Sequence, residues 1–202
     1  MFCAKRGNKH KMLKNEEDVI KLIQCDEKMM GILKVASTLN LPDWWICAGF
    51  VRSKIWDTLH EFKDRTETPD VDVIYFDNTK IDEDFEKELE NKLKNLMPNI
   101  PWSVKNEARM HVISNLPPYT SSEDAISKFP ETATALGVKL DKDHNLVLTA
   151  PYGLDDVINL ELKPTPYFTE TMERTAIYED RIIKKNWKSF WHKIKVHHIL
   201  NN

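Results

Sequence analysis

The chain has 202 residues, 41% of them hydrophobic and 30% charged, which suits one domain with a full core and an appendage, without metal or disulfide staples. Lys plus Arg number 29 and Asp plus Glu 32, a net charge of −3. That near-balance excludes a protein that coats nucleic acid or membranes by bulk charge, so any basic site must be local.

The first 14 residues carry Lys5, Arg6, Lys9, Lys11 and Lys14 with no apolar run after them. They read as an N-terminal tail over 1–14 and not as a secretory signal. No stretch approaches the ~20 apolar residues of a membrane helix, so no membrane partner is expected. Cys3, Cys25 and Cys47 stand 22 residues apart, too far for a metal knuckle and odd in number for a disulfide framework. Reduced thiols and a cytoplasmic location are expected.

Asn15 is a good N-cap, with Glu16, Glu17 and Asp18 in the turn that follows. Apolar residues from Val19 to Leu39 recur at helical spacing, which predicts a helix interrupted near Gly31 and ending before Pro42. Trp44 to Gly49 reads as a buried strand closing on glycine, and Phe50 to His60 as a helix. After a polar connection, Asp70 to Phe76 alternates at its start: a strand with both aspartates on one face. Asn78 to Met97 is an acidic amphipathic helix, and the alternation from Trp102 to His111 predicts another strand. Ser121-Ser122-Glu123-Asp124 looks like a capped helix start. Gly137–Leu140 and Leu146–Thr149 flank a hairpin turn, and a short helix is expected over Gly153–Leu160. Beyond Pro164-Thr165-Pro166 a mostly helical tail is predicted, with lysines outward and Trp187, Phe190, Trp191 and Ile194 packed on the core. The order is that of an α+β domain over 15–166, a small mixed sheet covered mainly on one side, with a helical extension over 167–202.

Chemistry concentrates in Ala48-Gly49-Phe50-Val51-Arg52 and Asp70-Val71-Asp72. A strand that ends in glycine and opens into a helix offers bare backbone amides to phosphate oxygens. Arg52 in the first turn adds a charge-assisted donor. Aspartates two apart on a strand repel each other unless a cation sits between them. Mg²⁺ takes carboxylate and phosphate oxygens together. A phosphate cradle beside a carboxylate pair is what phosphoryl or nucleotidyl transfer needs.

These segments resemble the polymerase-β-type nucleotidyltransferase core, and in particular the head domain of tRNA CCA-adding enzymes, which carry G-G-x-V-R-D, a helix, then D-x-D. The whole chain resembles more closely a bacterial family of uncharacterised nucleotidyltransferases. Its hallmarks A-G-F-x-R, D-x-D-V-x-Y-F-D, N-x-A-R-M-H, S-S-E-D-A and P-E-T-A-T-A-x-G-V all occur between Trp44 and Pro166. The resemblance implies a nucleotidyltransferase that moves a nucleotidyl group from an NTP to an acceptor: RNA, protein or a small molecule. It implies Asp70 and Asp72 as catalytic ligands of Mg²⁺ or Mn²⁺, and Ala48, Gly49, Arg52 and Arg109 as nucleotide-binding residues. Some positions depart from the pattern. Ala48 replaces the first glycine, and Lys128 and Glu131 are the nearest substitutes for an R-R-D motif. The superfamily's third acid is expected at Trp102-Ser103-Val104, where this chain has serine. Glu107 lies on the same face but ~13 Å further along an extended strand. The alternative to an enzyme is a binding module that kept the nucleotidyltransferase fold and lost turnover. About 40 residues follow Pro164, too few for the helical domains with which CCA-adding enzymes grip tRNA, so CCA addition itself is not expected.

Overall fold

The computed structural model describes residues 13–114 and 116–199; the tail before Leu13, with Cys3, lies outside them. The first helical stretch is two helices, α1 (Glu16–Gln24) and α2 (Glu27–Ser37). The break falls at Cys25–Asp26 and not at Gly31, because the Asp26 carboxylate accepts from Met29 N–H and starts a new helix. β1 (Trp45–Cys47), α3 (Gly49–Leu59) and β2 (Val71–Tyr75) follow as the pattern predicts. α4 (Glu83–Leu96) begins later than expected, capped by Asp82.

The alternating stretch from Trp102 divides into β3 (Trp102–Asn106) and α5 (Glu107–Ser114). Asn106 causes the turn. Its fully buried amide donates to the carbonyls of Asp77 and Lys80 and accepts from the Asp77 and Ala108 N–H groups. That last bond caps α5, which period-two alternation cannot reveal. α6 (Ser122–Ser127) has the expected Ser121 cap, and β4 (Gly137–Leu140) and β5 (Leu146–Thr149) form the hairpin. Next come α7 (Asp155–Ile158), β6 (Glu161–Leu162), α8 (Pro166–Thr169) and α9 (Met172–Lys185). A 3₁₀ turn over Trp187–Ser189 and β7 (Lys195–Val196) complete the described elements.

Five strands make one mixed sheet in the order β3-β2-β1-β4-β5. β2 and β3 run parallel, while β1 is antiparallel to β2 and β4. The pleat of β2 sends Val71, Val73 and Tyr75 into the large core built with α1, α2 and α4. Asp72 and Ile74 face the other way, where a smaller cluster gathers Trp45, Cys47 and Ile126. The fold is α+β, as the element order implied. Among the described residues, no helix is long and apolar enough to cross a membrane.

The segment after α9 packs back on the domain. β7 pairs in parallel with β6, and Tyr178 O–H donates to the Leu162 and His197 carbonyls. Trp187, Trp191 and Ile194 are buried, but a left-handed Asn186 ends the helix before them, so they are not one helical stripe. Trp191 Nε1–H donates to Asp57 at 2.8 Å. The same carboxylate accepts from the N–H and hydroxyl of Thr66 at 2.9 and 2.7 Å. Replacing Asp57 with alanine leaves the buried indole donor without an acceptor and releases the 61–70 loop. Asp57→Ala is expected to lose about 2–3 kcal/mol of stability in equilibrium urea unfolding.

Candidate active site

β1 passes into α3 through Ala48, whose φ of 52° and ψ of −115° lie where glycine is at ease and a Cβ is strained. The turn is held by Ala48 N–H donating to Leu136 O at 3.0 Å. No side chain caps α3, so its leading amides are left to a ligand. A Cβ at Gly49 would stand 3.5 Å from Thr68 Cγ2 and 3.6 Å from Arg52 Nη2. That is ordinary contact for the fold, but it would fill space beside the guanidinium. Ala48, Gly49, Arg52, Asp70 and Asp72 all line one cleft of about 770 Å³. Five of the six residues singled out in the sequence meet there.

Arg52 is 7% exposed. Its Cζ lies 4.5 Å from the Trp187 ring centroid, 5.2 Å from Trp56 and 5.4 Å from Trp191. Nη2 donates to Ser53 Oγ at 3.3 Å, while the buried Nε has no hydrogen-bond partner. Burial pulls its pKa down to about 10, against the opposing influence of Glu131. Aromatic faces stabilise the cation, and the residue lines the cleft while its Nε stays buried behind them.

Asp70 is exposed at the entry to β2, and Asp72 lies across the parallel ladder from Ser103. Burial, reinforced by Asp70, lifts the Asp72 carboxyl to about 6, partly offset by a Ser103 hydrogen bond and by Lys185 and Arg181. Among the described residues no group of three or more His, Cys, Asp or Glu is set to hold a metal. Two mutually repelling carboxylates fit a hard cation that completes its shell with phosphate and water oxygens.

Glu107 is not a strand residue displaced along β3. It opens α5, 7% exposed, and burial raises its carboxyl to about 8, with Asp72 the next contributor. The turn at Asn106 thus returns Glu107 to the neighbourhood of Asp72. Arg109 departs further from expectation. On α5 its Nε and Nη2 donate to Glu86 at 2.9 and 2.7 Å, and it is not among the residues lining the cleft. A fully buried glutamate holds it in place, so the structure assigns Arg109 a local ion pair.

The sequence reading missed the far wall. Arg181, Lys185, Trp187, Phe190 and Trp191 line the same cleft. Interleaved basic and aromatic residues were the available signal, and helical spacing diverted it to the core. Glu131, at 0% exposure, accepts from Arg181 Nε at 2.6 Å and from Thr134 Oγ1 at 2.7 Å. The P-E-T-A-T-A segment therefore anchors a cation of that wall.

The sequence profile of a nucleotidyltransferase family matches residues 34–196, and the chain belongs to that family. A comparison with curated protein sequences finds no match. A protein whose NMR structure reveals a CCA-adding enzyme head domain is 35% identical and superposes with a TM-score of 0.84, covering 94% of this chain and 100% of that one. The Thermotoga maritima CCA-adding enzyme in complex with tRNA is 13% identical with a TM-score of 0.55, over 92% of this chain and 43% of the enzyme. A CCA-adding enzyme with CTP gives the same identity and TM-score over 92% and 44%. At 13% identity the likeness is one of fold. The chain spans less than half the length of these two enzymes.

Two predictions follow from the local geometry. Ala48→Gly relieves the strained turn and is expected to raise stability by about 1 kcal/mol in thermal unfolding. The second concerns pH. An ordinary glutamate titrates at 4.5 and the folded Glu107 at about 8, so between those values the folded state holds a proton that the unfolded chain lacks. Stability therefore falls as pH rises through that window. His60, whose pKa burial lowers from 6.5, acts in the opposite sense but only below that value. From about pH 6.5 to about pH 8.5 the urea midpoint is expected to fall in the wild type and to stay level in Glu107→Gln.

Proposed function

We propose that the cleft binds an NTP with Mg²⁺ or Mn²⁺ and transfers its nucleotidyl group to an acceptor. The observation that carries this reading is the meeting of three features on one cleft: the Arg52 guanidinium, an uncapped helix start and a carboxylate pair. Those three features answer the three needs of a metal-bound triphosphate: neutralised charge, oriented oxygens and metal ligands. Asp70 and Asp72 would hold the metal, which supplies charge neutralisation on the phosphates when bound.

The chain's own residues do the rest. The α3 amides and Arg52 fix the triphosphate, and the tryptophans around Arg52 keep water from its guanidinium face, strengthening each contact to phosphate. Arg181 and Lys185 add positive charge close to Asp72. Ser103 orients Asp72 through its hydroxyl. Glu107 does not line the cleft, and in the metal-free protein burial raises its carboxyl to about 8.

Ser103 where a third acid is expected also favours a second reading, NTP binding without turnover. Incubation with α-labelled NTPs, Mg²⁺ or Mn²⁺ and cell extract separates the two: label on a macromolecule or small acceptor means transfer, and calorimetric binding without label means a binding module. Asp70→Asn and Asp72→Asn are each expected to abolish Mg²⁺-dependent NTP binding while holding or raising the apo melting temperature, since each relieves repulsion. A large loss of stability in both would mark the pair as structural. Glu107→Gln, isosteric with the protonated acid, is expected to leave transfer within a few-fold. A loss of ~10²–10⁴ in that variant would instead make Glu107 a general base.

A further inference from the structure

We propose that Phe190 is the platform on which the nucleobase of the bound NTP stacks, so that the segment after α9 supplies the base subsite and favours purines over pyrimidines. The inference rests on the NTP reading above and deepens it. Phe190 is 60% exposed, whereas Trp187 and Trp191 on either side of it are 7% and 3% exposed. The two tryptophans are committed to Arg52 and, through Trp191 Nε1, to Asp57. Phe190 is tilted against Trp191, with centroids 6.3 Å apart and planes at 56°, and still lines the cleft.

The division of labour along this segment is chemical. Arg181 and Lys185 are felt electrostatically at Asp72 and so belong to the phosphate end of the cleft. Phe190 has no charge to offer a phosphate and no core to fill. A flat, exposed apolar ring on the cleft wall suits a flat partner with a π-face. An NTP whose phosphates lie at Arg52 and the carboxylate pair brings such a partner in its base. Stacking tolerates every base but grows with ring area, hence the purine preference.

The test is isothermal titration calorimetry of Mg²⁺ complexes of ATP, CTP and inorganic tripolyphosphate. The wild type is expected to bind ATP more tightly than CTP and both more tightly than tripolyphosphate. Phe190→Ala should weaken ATP by about 10-fold or more, leave tripolyphosphate unchanged, and bring ATP and CTP close together. Phe190→Tyr should restore the ATP affinity. The side chain is largely exposed, so the alanine variant should melt like the wild type. An alanine variant that binds ATP as well as the wild type overturns the proposal, as does one that loses tripolyphosphate equally. Wild type that binds tripolyphosphate as tightly as ATP overturns the base subsite but leaves the cradle standing. Wild type that binds none of the three overturns both.

Discussion

The carboxylate of Asp57 accepts hydrogen bonds from Trp191 on one side and from both the amide and hydroxyl of Thr66 on the other. Helix α3 thereby holds two segments that have no secondary structure of their own at the points of contact. One is the 61–70 loop, which ends at the first aspartate of the pair. The other is the aromatic turn after α9, which covers Arg52. Burying a carboxylate is unfavourable unless its lone pairs are used. Here that requirement forces the loop and the turn to close on the same helix. The cleft between them is a by-product of satisfying one buried acid.

A similar economy governs charge inside the cleft. A largely buried cation and two anions that repel each other line its walls, and the chain offsets these tensions only in part. Packing and pairing fix each group in place: Arg52 among three indoles, Asp72 opposite Ser103 on the ladder, Arg181 on Glu131. A ligand carrying both phosphate and a divalent cation would relieve both at once. A ligand of that kind, binding only the folded chain, would add to stability by mass action as well as to function.

Much of this was legible from residue order. The glycine turn and the D-x-D strand could be read because each is local: a strand, its turn and its alternation are set by neighbours in sequence. The elements around them followed for the same reason. What escaped reading was long-range or side-chain-driven. The Trp102 stretch alternates through His111 except at Asn106, and the buried amide there turns the chain, and with it Glu107 and Arg109, out of the strand. No periodicity encodes that. The break before α2 went to the wrong residue because a glycine is conspicuous, whereas Asp26 acts only through its cap. The aromatic turn after α9 has helical spacing, but a left-handed Asn186 ends the helix first. Arg109 belongs to a shared motif and still serves a local ion pair, because Glu86 arrives from α4, which sequence distance hides.

Hydrogen bonds on and behind the far wall join residues very far apart along the chain: Trp191 to Asp57 across 134 positions, Lys193 to His60 across 133, and Trp56 to Val157 across 101. Contacts of this kind cannot form until most of the loop entropy between them has been overcome, and they set a high contact order for the very region that matters. The hairpin and α4 can form early from neighbours, whereas the far wall docks only on a core that already exists. Were nucleotide to occupy the cleft, its binding would report completed folding, and an intermediate with a near-native sheet would be blind to it.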